Sequence, residues 1–276
     1  MPWHASLALD YRREGPRTVA HFRHQGPLRL LRSLYPEGDA VCHNVLVHPP
    51  GGLVGGDTLD IRVQAGPGAH GLITTPGATR FYRCEAEPAR QRTEVALEAG
   101  ARLEWLPQEA LCYPGCDAVN ELRLTLAEGA ELIGWDVAAL GLPAAGQPFT
   151  RGQLRQHLEW PGRWLERGHL DAGDARLMDG PLGLAGQRCL GTLFWLCGTP
   201  PARALREQAL ALARERIEAS PLRHSAGATA LQPGVVVVRV LAPLTEPAML
   251  LLREVRAAWR AALWQQDGPP PRIWST

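Results

Sequence analysis

Short apolar segments with a period near two run through most of the chain, from residue 17 to about residue 197. Glycine, proline and aspartate separate these segments, in the way that turns separate β-strands. In the clearest case Leu122, Leu124 and Leu126 fall on one face and Arg123 and Thr125 on the other, as in a half-buried strand. We therefore predict a mainly β body with strands near residues 41–48, 58–63, 93–98 and 122–126.

A Gly-Ala pair recurs within this body, at Gly68-Ala69, Gly100-Ala101 and Gly129-Ala130. Each pair follows one strand-like segment and precedes another, and the pairs lie 32 and 29 residues apart. A near-regular repeat of strand pairs turning at glycine predicts stacked or helically wound β-sheets, because one unit cannot bury its apolar face alone. The drift in spacing argues against a strict β-helix.

The last third of the chain changes to a helical period. Thr199 and two prolines open a predicted helix over residues 203–219, and Pro221 ends it. The β-branched run 235–241 reads as a buried strand, and a second helix begins near Thr245 and continues to about residue 263. We predict one domain, with a helix-strand-helix segment over 199–264 packed on the β body. Its tail, residues 265–276, is either frayed or docked by Trp274.

Composition excludes several functions. The 276 residues are 45% apolar and 21% charged, and all 29 basic side chains are arginine because the chain has no lysine. Without lysine there is no P-loop, Schiff base or pyridoxal chemistry. A net charge of +1 gives no electrostatic case for binding nucleic acid or a membrane. No apolar run approaches membrane-spanning length, so we expect a cytoplasmic protein.

The glycine cluster and the cysteines carry weak chemical signals. Gly51, Gly52, Gly55 and Gly56 precede Asp57, whose charge would repel a phosphate, so a tight β-turn is the favoured interpretation. The pair Cys112 and Cys116 lacks the partner ligands that structural zinc needs, and the six cysteines favour reduced thiols in a chain of this length. The sequence predicts no fixed metal site.

The acidic residues are more informative. Glu104, Glu109 and Asp136 occur at the same stage of successive repeats, and Asp57 ends the glycine cluster before the first of them. Acids at equivalent points of stacked units line one interior path or cap turns. The alternative is a hydrolase that uses a cysteine or paired carboxylates.

Four ordered motifs together give a family resemblance. The segments GGLVGGD (51–57), TTPGATRFYR (74–83), EWLPQE (104–109) and GWD (134–136) resemble those of the urease accessory protein family UreD, called UreH in some bacteria. Shorter matches at residues 26–28, 35–38 and 271–274 extend the resemblance over nearly the whole chain.

The resemblance implies a non-enzymatic maturation factor with a mostly β fold and a pair of helices. Members of the family form a complex with UreF and the GTPase UreG, dock on apo-urease, and help deliver Ni²⁺ to its active site. No cofactor is implied beyond nickel(II) in transit, and the family is viewed as offering the ion an internal passage. The absent lysine then places the GTP chemistry in a partner.

Ni²⁺ accepts carboxylate and water ligands, so scattered carboxylates attract it without trapping it. We expect four acids to line or gate the passage: Asp57, Glu104, Glu109 and Asp136. We expect the adjoining wall and structural motifs to comprise Gly51, Gly52, Gly55, Gly56, Thr74, Thr75, Gly77 and Arg80.

Overall fold

Two large β-sheets and three helices make up the computed structural model, which describes residues 2–275. In chain order the strands are β1 (His4–Glu14), β2 (Arg17–Gln25), β3 (Arg29–Leu30), β4 (Cys42–Val47), β5 (Thr58–Ala65), β6 (His70–Thr74), β7 (Thr79–Phe81), β8 (Ala89–Leu97), β9 (Arg102–Leu106), β10 (Ala110–Cys112), β11 (Asp117–Leu126), β12 (Glu131–Leu142), β13 (Gln147–Pro148), β14 (Gln153–Trp160), β15 (Trp164–Asp171), β16 (Cys189–Cys197), β17 (Ala226–Gln232) and β18 (Val235–Ala242). The helices are α1 (Ala175–Asp179), α2 (Arg203–Ala219) and α3 (Thr245–Leu263).

The middle of the chain winds as a solenoid between the two sheets. The first sheet has the order β15-β14-β11-β8-β5-β1-β2, and the second runs β17-β18-β16-β12-β9-β6-β4-β3. The short strands β10 and β13 pair with β12, and β7 pairs with β10. Successive turns of chain place β5, β8, β11 and β14 in parallel register in the first sheet, and β6, β9 and β12 in the second. The predicted class, mainly β with stacked sheets and C-terminal helices, is confirmed.

The repeated glycines lie where the chain crosses from the first sheet to the second. Gly68, Gly100 and Gly129 have φ of +64°, +66° and +69°, a region that glycine enters without steric cost. The two strands that flank each glycine do not pair with each other as a hairpin. Each strand pairs instead with the corresponding strand of the neighbouring solenoid coil. The spacing shortens mainly because the connection between β10 and β11, residues 113–116, is shorter than that between β7 and β8, residues 82–88. After Gly129 the continuous strand β12 replaces two short strands and pairs antiparallel with β16.

Two apolar layers hold the molecule together. The inner layer fills the space between the sheets, with Ile61, Val95 and Phe194 among its buried side chains. The second layer lies between the outer face of the second sheet and α2 and α3, and includes Trp135 and Trp259. Alternate residues of the second sheet therefore point into different apolar environments, so both faces of its central strands are buried.

The predicted C-terminal elements are confirmed. Helices α2 and α3 occupy residues 203–219 and 245–263, and β18 covers the β-branched run. Thr199 does not cap α2, which begins after Ala202 without a side-chain cap; its hydroxyl instead accepts the amide of Gly129. This contact ties the start of the helical segment to the last glycine turn of the solenoid.

Two strands were not anticipated from the sequence. The first sheet starts before residue 17, since β1 lies between β2 and β5 and buries Ala5, Leu7 and Leu9. The edge strand β17 is built from small residues whose alternation is weak in the sequence. No helix in the part of the chain that the structure describes is long and apolar enough to span a membrane.

The tail is docked on the outer face of the second sheet. Its indole Trp274 donates a hydrogen bond to Thr74 Oγ1 at 2.8 Å and packs against Trp135 with ring centroids 5.3 Å apart. The guanidinium carbons of Arg253 and Arg256 lie 4.8 and 5.6 Å from the ring centre of Trp274. Of the two open interpretations of this segment, docking through Trp274 is the observed one, and Thr276 lies outside the described residues.

Candidate functional site

Asp136 is a buried carboxylate in the space between the two sheets. Its neighbours Trp135 and Val137 belong to the helix-facing apolar layer, so the alternation of β12 turns Asp136 inward. Asn120 of β11 donates to one carboxylate oxygen at 2.6 Å, and Gln156 of β14 donates to the other at 2.5 Å. Burial raises the pKa of Asp136 to about 6, against the opposing effect of these two hydrogen bonds.

From Asp136 a series of polar side chains leads toward the edge of the molecule. Thr192 of β16 is the strand partner of Asp136, and its hydroxyl donates to Glu166 Oε1 at 3.3 Å. Arg239 of β18 donates to Glu166 Oε2 at 2.6 Å. These residues occupy inward positions of their strands, where the neighbouring inward residues are apolar.

In the opposite direction the polar positions lead to a cavity. Gln91 of β8 is the strand partner of Asn120, which is in turn the strand partner of Gln156. Gln91 also lines a cavity of about 290 Å³ whose walls come from the segments 51–52 and 75–80. We call the series Gln91, Asn120, Gln156, Asp136, Thr192, Glu166 and Arg239 the inner polar row.

The cavity brings together part of the predicted wall. Gly51, Gly52, Thr75, Gly77 and Arg80 line it, with Trp105 and Pro107 beside them. The two segments are joined by backbone hydrogen bonds, because the amide of Leu53 donates to the carbonyl of Arg80 at 2.7 Å. The two motifs that are far apart in sequence therefore form one opening.

Three predicted wall residues lie elsewhere. A side chain at Gly55 would meet the carbonyl of Glu87, and one at Gly56 would meet Pro2, so both glycines serve close packing at the turn. Thr74 lies on the outer face of the second sheet, where its hydroxyl donates to Leu106 O at 2.7 Å and accepts the indole N–H of Trp274.

Asp57 stabilises the glycine turn. Its carboxylate oxygens accept the amides of Trp3 at 2.7 Å and Val54 at 2.9 Å, and the residue is buried. These two bonds connect the start of the chain to the turn that precedes β5. The tight β-turn interpretation of the glycine cluster thus agrees with the observed contacts.

Glu104 lies on the helix-facing side of the second sheet, opposite to Asp136. Arg256 of α3 donates to its Oε2 at 2.6 Å, and Arg260 approaches Oε1 at 2.9 Å. Arg260 also pairs with Glu37, whose Oε1 accepts a hydrogen bond from His43 Nε2 at 2.6 Å. These partners lower the pKa of Glu37 to about 2, against burial, which raises it.

Glu109 is partly buried on the same side of the molecule as α3. Its charge opposes the effect of burial, which lowers the pKa of Arg253. The four acids expected to act together therefore occupy separate places: Asp136 in the inner polar row, Asp57 in a turn, and Glu104 and Glu109 facing α3.

Sequence inspection missed every member of the inner polar row except Asp136, namely Gln91, Asn120, Gln156, Thr192, Glu166 and Arg239. Their signal is a polar residue at a strand position whose neighbours two residues away are apolar, as with Gln156 between Leu154 and Leu158. Such positions face a core, and a polar group there needs a partner. The hydrogen-bond partner comes from another strand, so this sequence pattern identifies the buried polar residue but not the residue that it contacts.

The thiols do not resemble a nucleophilic centre. Burial raises the pKa of Cys189 to about 12 and also raises the pKa values of Cys42 and Cys84, which leaves little thiolate at neutral pH. Cys112 and Cys116 are buried in the inner layer, where the Cys116 thiol donates to the carbonyl of Gln153 at 3.7 Å. Within residues 2–275 no three His, Cys, Asp or Glu side chains converge to hold a metal ion.

Comparison with known proteins identifies one family. A family model described as "UreD urease accessory protein" matches residues 4–275. Proteins called "Urease accessory protein UreD" are 66% identical in Polaromonas naphthalenivorans (strain CJ2), 64% in Variovorax paradoxus (strain S110) and 55% in Leptothrix cholodnii (strain ATCC 51168 / LMG 8142 / SP-6). Each of these matches covers 100% of both chains.

Proposed function

The chain belongs to the UreD family of urease accessory proteins and so has a role in urease maturation; from this premise we propose that it conducts Ni²⁺ toward apo-urease. It does so without catalysing a reaction, in a cytoplasmic complex with UreF and the GTPase UreG. The ion is cargo and is not a resident cofactor. The observation that carries this proposal is the inner polar row, which extends from the cavity at the 51–52 and 75–80 segments to Arg239 at the opposite edge.

The donor set of this row suits transfer. Ni²⁺ lies high in the Irving–Williams order, and sites of several imidazoles or thiolates retain it strongly. The inner polar row offers amide oxygens, one hydroxyl and two carboxylates, and these are single oxygen donors on different strands. Each tenfold gain in affinity for Ni²⁺ corresponds to about 1.4 kcal/mol of binding free energy, and this free energy opposes release of the ion to the next site. Weak, separated oxygen donors keep that cost small.

Asp136 is the centre of the proposed passage. It is the acid whose carboxylate lies between the sheets with amide side chains on both sides, and those amides can rotate to present oxygen instead of N–H. An ion that arrives beside Asp136 would replace the two donated hydrogen bonds with two amide oxygen ligands. Glu104 and Glu109 belong to a different environment, so we propose that they position α3 and do not meet the ion.

The energy source lies in a partner. The chain has no lysine and therefore no P-loop lysine, so GTP binding and hydrolysis belong to UreG. Nucleotide changes the assembly only if the complex binds the two states of UreG with different affinities.

The test replaces Asp136 by asparagine, which keeps the side-chain shape and removes the charge. Purified Asp136→Asn protein should still form a complex with UreF, UreG and apo-urease on size-exclusion chromatography. Urease activated by that complex should contain at least about tenfold less nickel by mass spectrometry, because one carboxylate–Ni²⁺ interaction is lost. The matched control is Asp60→Asn, which changes an acid on the outer face of β5 that pairs with His4.

Two outcomes would contradict the proposal. Normal nickel loading with Asp136→Asn would exclude a passage through the inner polar row and leave a role in assembly alone. Equal losses with Asp136→Asn and Asp60→Asn would show a general effect of acid removal.

A further inference from the structure

The inner polar row ends at an ion pair that joins the two sheets. Glu166 lies on β15, the edge strand of the first sheet, and Arg239 lies on β18, next to the edge of the second. Their side chains meet at 2.6 Å. The Glu166 side chain is 14% exposed and that of Arg239 is 52% exposed, so the pair marks the place where the buried row meets solvent.

Both carboxylate oxygens of Glu166 are engaged in this arrangement. Oε1 accepts the hydroxyl of Thr192 and Oε2 accepts the guanidinium of Arg239. A cation moving outward from Asp136 therefore meets a neutralised carboxylate and then a positive charge. A guanidinium repels a divalent cation, and this repulsion is strong where the surroundings are partly buried.

Arg239 has room to leave this position. Its partner on the edge strand β17 is Gly227, and a side chain built at Gly227 would meet no atom within 4 Å. An ion pair that is half exposed contributes little to stability, typically about 0–1 kcal/mol. The pair can therefore open at small cost when another carboxylate competes for the guanidinium.

We infer that Arg239 is the gate of the nickel passage, held closed on Glu166 and opened by a carboxylate of a partner protein that docks against the β15–β18 edge. This inference rests on the proposed function, because it adds regulation to the same passage. Once Arg239 moves to the partner, the negative charge of Glu166 is no longer compensated, and Oε2 is free to bind the ion while Oε1 still accepts the hydroxyl of Thr192. Docking thereby couples release of the ion to the presence of its acceptor.

The experiment measures nickel transfer from the complex in the presence and absence of apo-urease, using Ni²⁺ alone as the probe. In Arg239→Gln the charge is lost, so loss of Ni²⁺ from the complex to a chelator without apo-urease should rise about tenfold. Arg239→Lys keeps a positive charge and should remain near the wild-type rate. Arg167→Gln, which changes an exposed arginine on the outer face of β15, is the matched control.

A comparison with Asp136→Asn separates failure of the gate from failure of the passage. If Asp136→Asn blocks loading and Arg239→Gln leaves the leak unchanged, the gate is wrong and the passage stands. If Arg239→Gln raises the leak and the added Asp136→Asn substitution abolishes that gain, both are supported. If Asp136→Asn has no effect on loading or on the leak, the passage is wrong and the gate fails with it.

Discussion

The buried carboxylate of Asp136 is held in the fold at an energetic cost. Its pKa is raised to about 6, so the folded state binds a proton more tightly than the unfolded state, whose aspartates titrate near 3.8. The protonated, neutral form of Asp136 is favoured at this buried position, so its ionisation at neutral pH opposes folding. A carboxylate at a position where its charge opposes folding suits a functional role that an apolar residue could not fill.

This cost predicts that Asp136→Asn makes the protein more stable. The difference of about two units between the folded and unfolded pKa of Asp136 corresponds to a destabilisation of at most about 3 kcal/mol. This destabilisation is fully present above pH 6 and disappears as the pH falls toward 3.8. Thermal unfolding at pH 7.5 should show a higher midpoint for the variant than for wild type, and the gap should shrink at pH 4.5. A lower midpoint at pH 7.5 would indicate that the carboxylate makes a net stabilising contribution.

At the same scale, the acids singled out from the sequence are largely buried in the structure, but they do not contact one another. The sequence singled out Glu104, Glu109 and Asp136 as acids at the same stage of successive repeats, with Asp57 before them. The structure buries Asp57, Glu104 and Asp136. Their contacts differ because Asp57 precedes a strand, while Glu104 and Asp136 lie at strand positions of opposite orientation. A shift of one residue along a strand exchanges the two faces of a sheet.

At the scale of elements, the long strand β12 connects the two halves of the fold, and the docked tail covers this strand. β12 pairs with β9, β10 and β16, so it joins the parallel solenoid to the antiparallel C-terminal half. On its outer side Trp135 donates to the carbonyl of Pro107 at 2.5 Å and supports Trp274. The tail thus covers the strand that carries Asp136.

Removing this cover should weaken the fold. Trp274→Ala deletes a half-buried indole, one hydrogen bond to Thr74 and the contacts with Arg253 and Arg256, so we expect a loss of about 1–3 kcal/mol in urea unfolding. Thr74→Val removes the hydroxyl that accepts from Trp274 and donates to Leu106 O, and should cost about 1–2 kcal/mol. In the double variant the two losses should not add, because the hydrogen bond is shared. Full additivity, or no loss in Trp274→Ala, would mean that the tail is not docked in solution.

The two long helices α2 and α3 could be predicted from the sequence, whereas the short helix α1 and the strand partners could not. The apolar period of α3 continues without interruption from Thr245 to Leu263, and one helix needs only its own sequence to form its hydrogen bonds. The strand β5 pairs with β1 on one side and β8 on the other, which begin 54 residues before and 31 residues after it. Such pairing depends on the winding of the whole solenoid.

At the scale of the whole molecule, α3 is connected to the second sheet by buried charged and polar groups. Arg260 links Glu104 to Glu37, and His70 lies beneath Trp264 with ring centroids 5.3 Å apart. Burial, together with the nearby charges of Arg260 and Arg102, lowers the pKa of His70 to about 3. Protonation of this group therefore favours the unfolded chain, where histidine titrates near 6.5.

The protein should consequently lose stability in mild acid. Because the pKa values of His70 and Glu37 are both lower in the folded state, their contributions are present at neutral pH. That of His70 falls by up to about 1.4 kcal/mol for each pH unit below 6.5. Unfolding midpoints measured from pH 7 to pH 4 should fall less steeply in His70→Gln than in wild type. His21→Gln, an exposed histidine, should leave the slope unchanged, and equal slopes in all three proteins would contradict the assignment.

The sequence by itself determined the β body, the glycine turns, the two long helices and the family, because these follow from local periodicity, turn chemistry and ordered motifs. Only the tertiary structure decided which polar residues meet. Asn120, Asp136 and Gln156 lie on three strands, and Glu166 and Arg239 are 73 residues apart, yet the solenoid winding and the antiparallel return of β16 and β18 bring them into one row. Burial makes each of these contacts energetically important, and burial is a property of the packed molecule that no single segment of sequence contains.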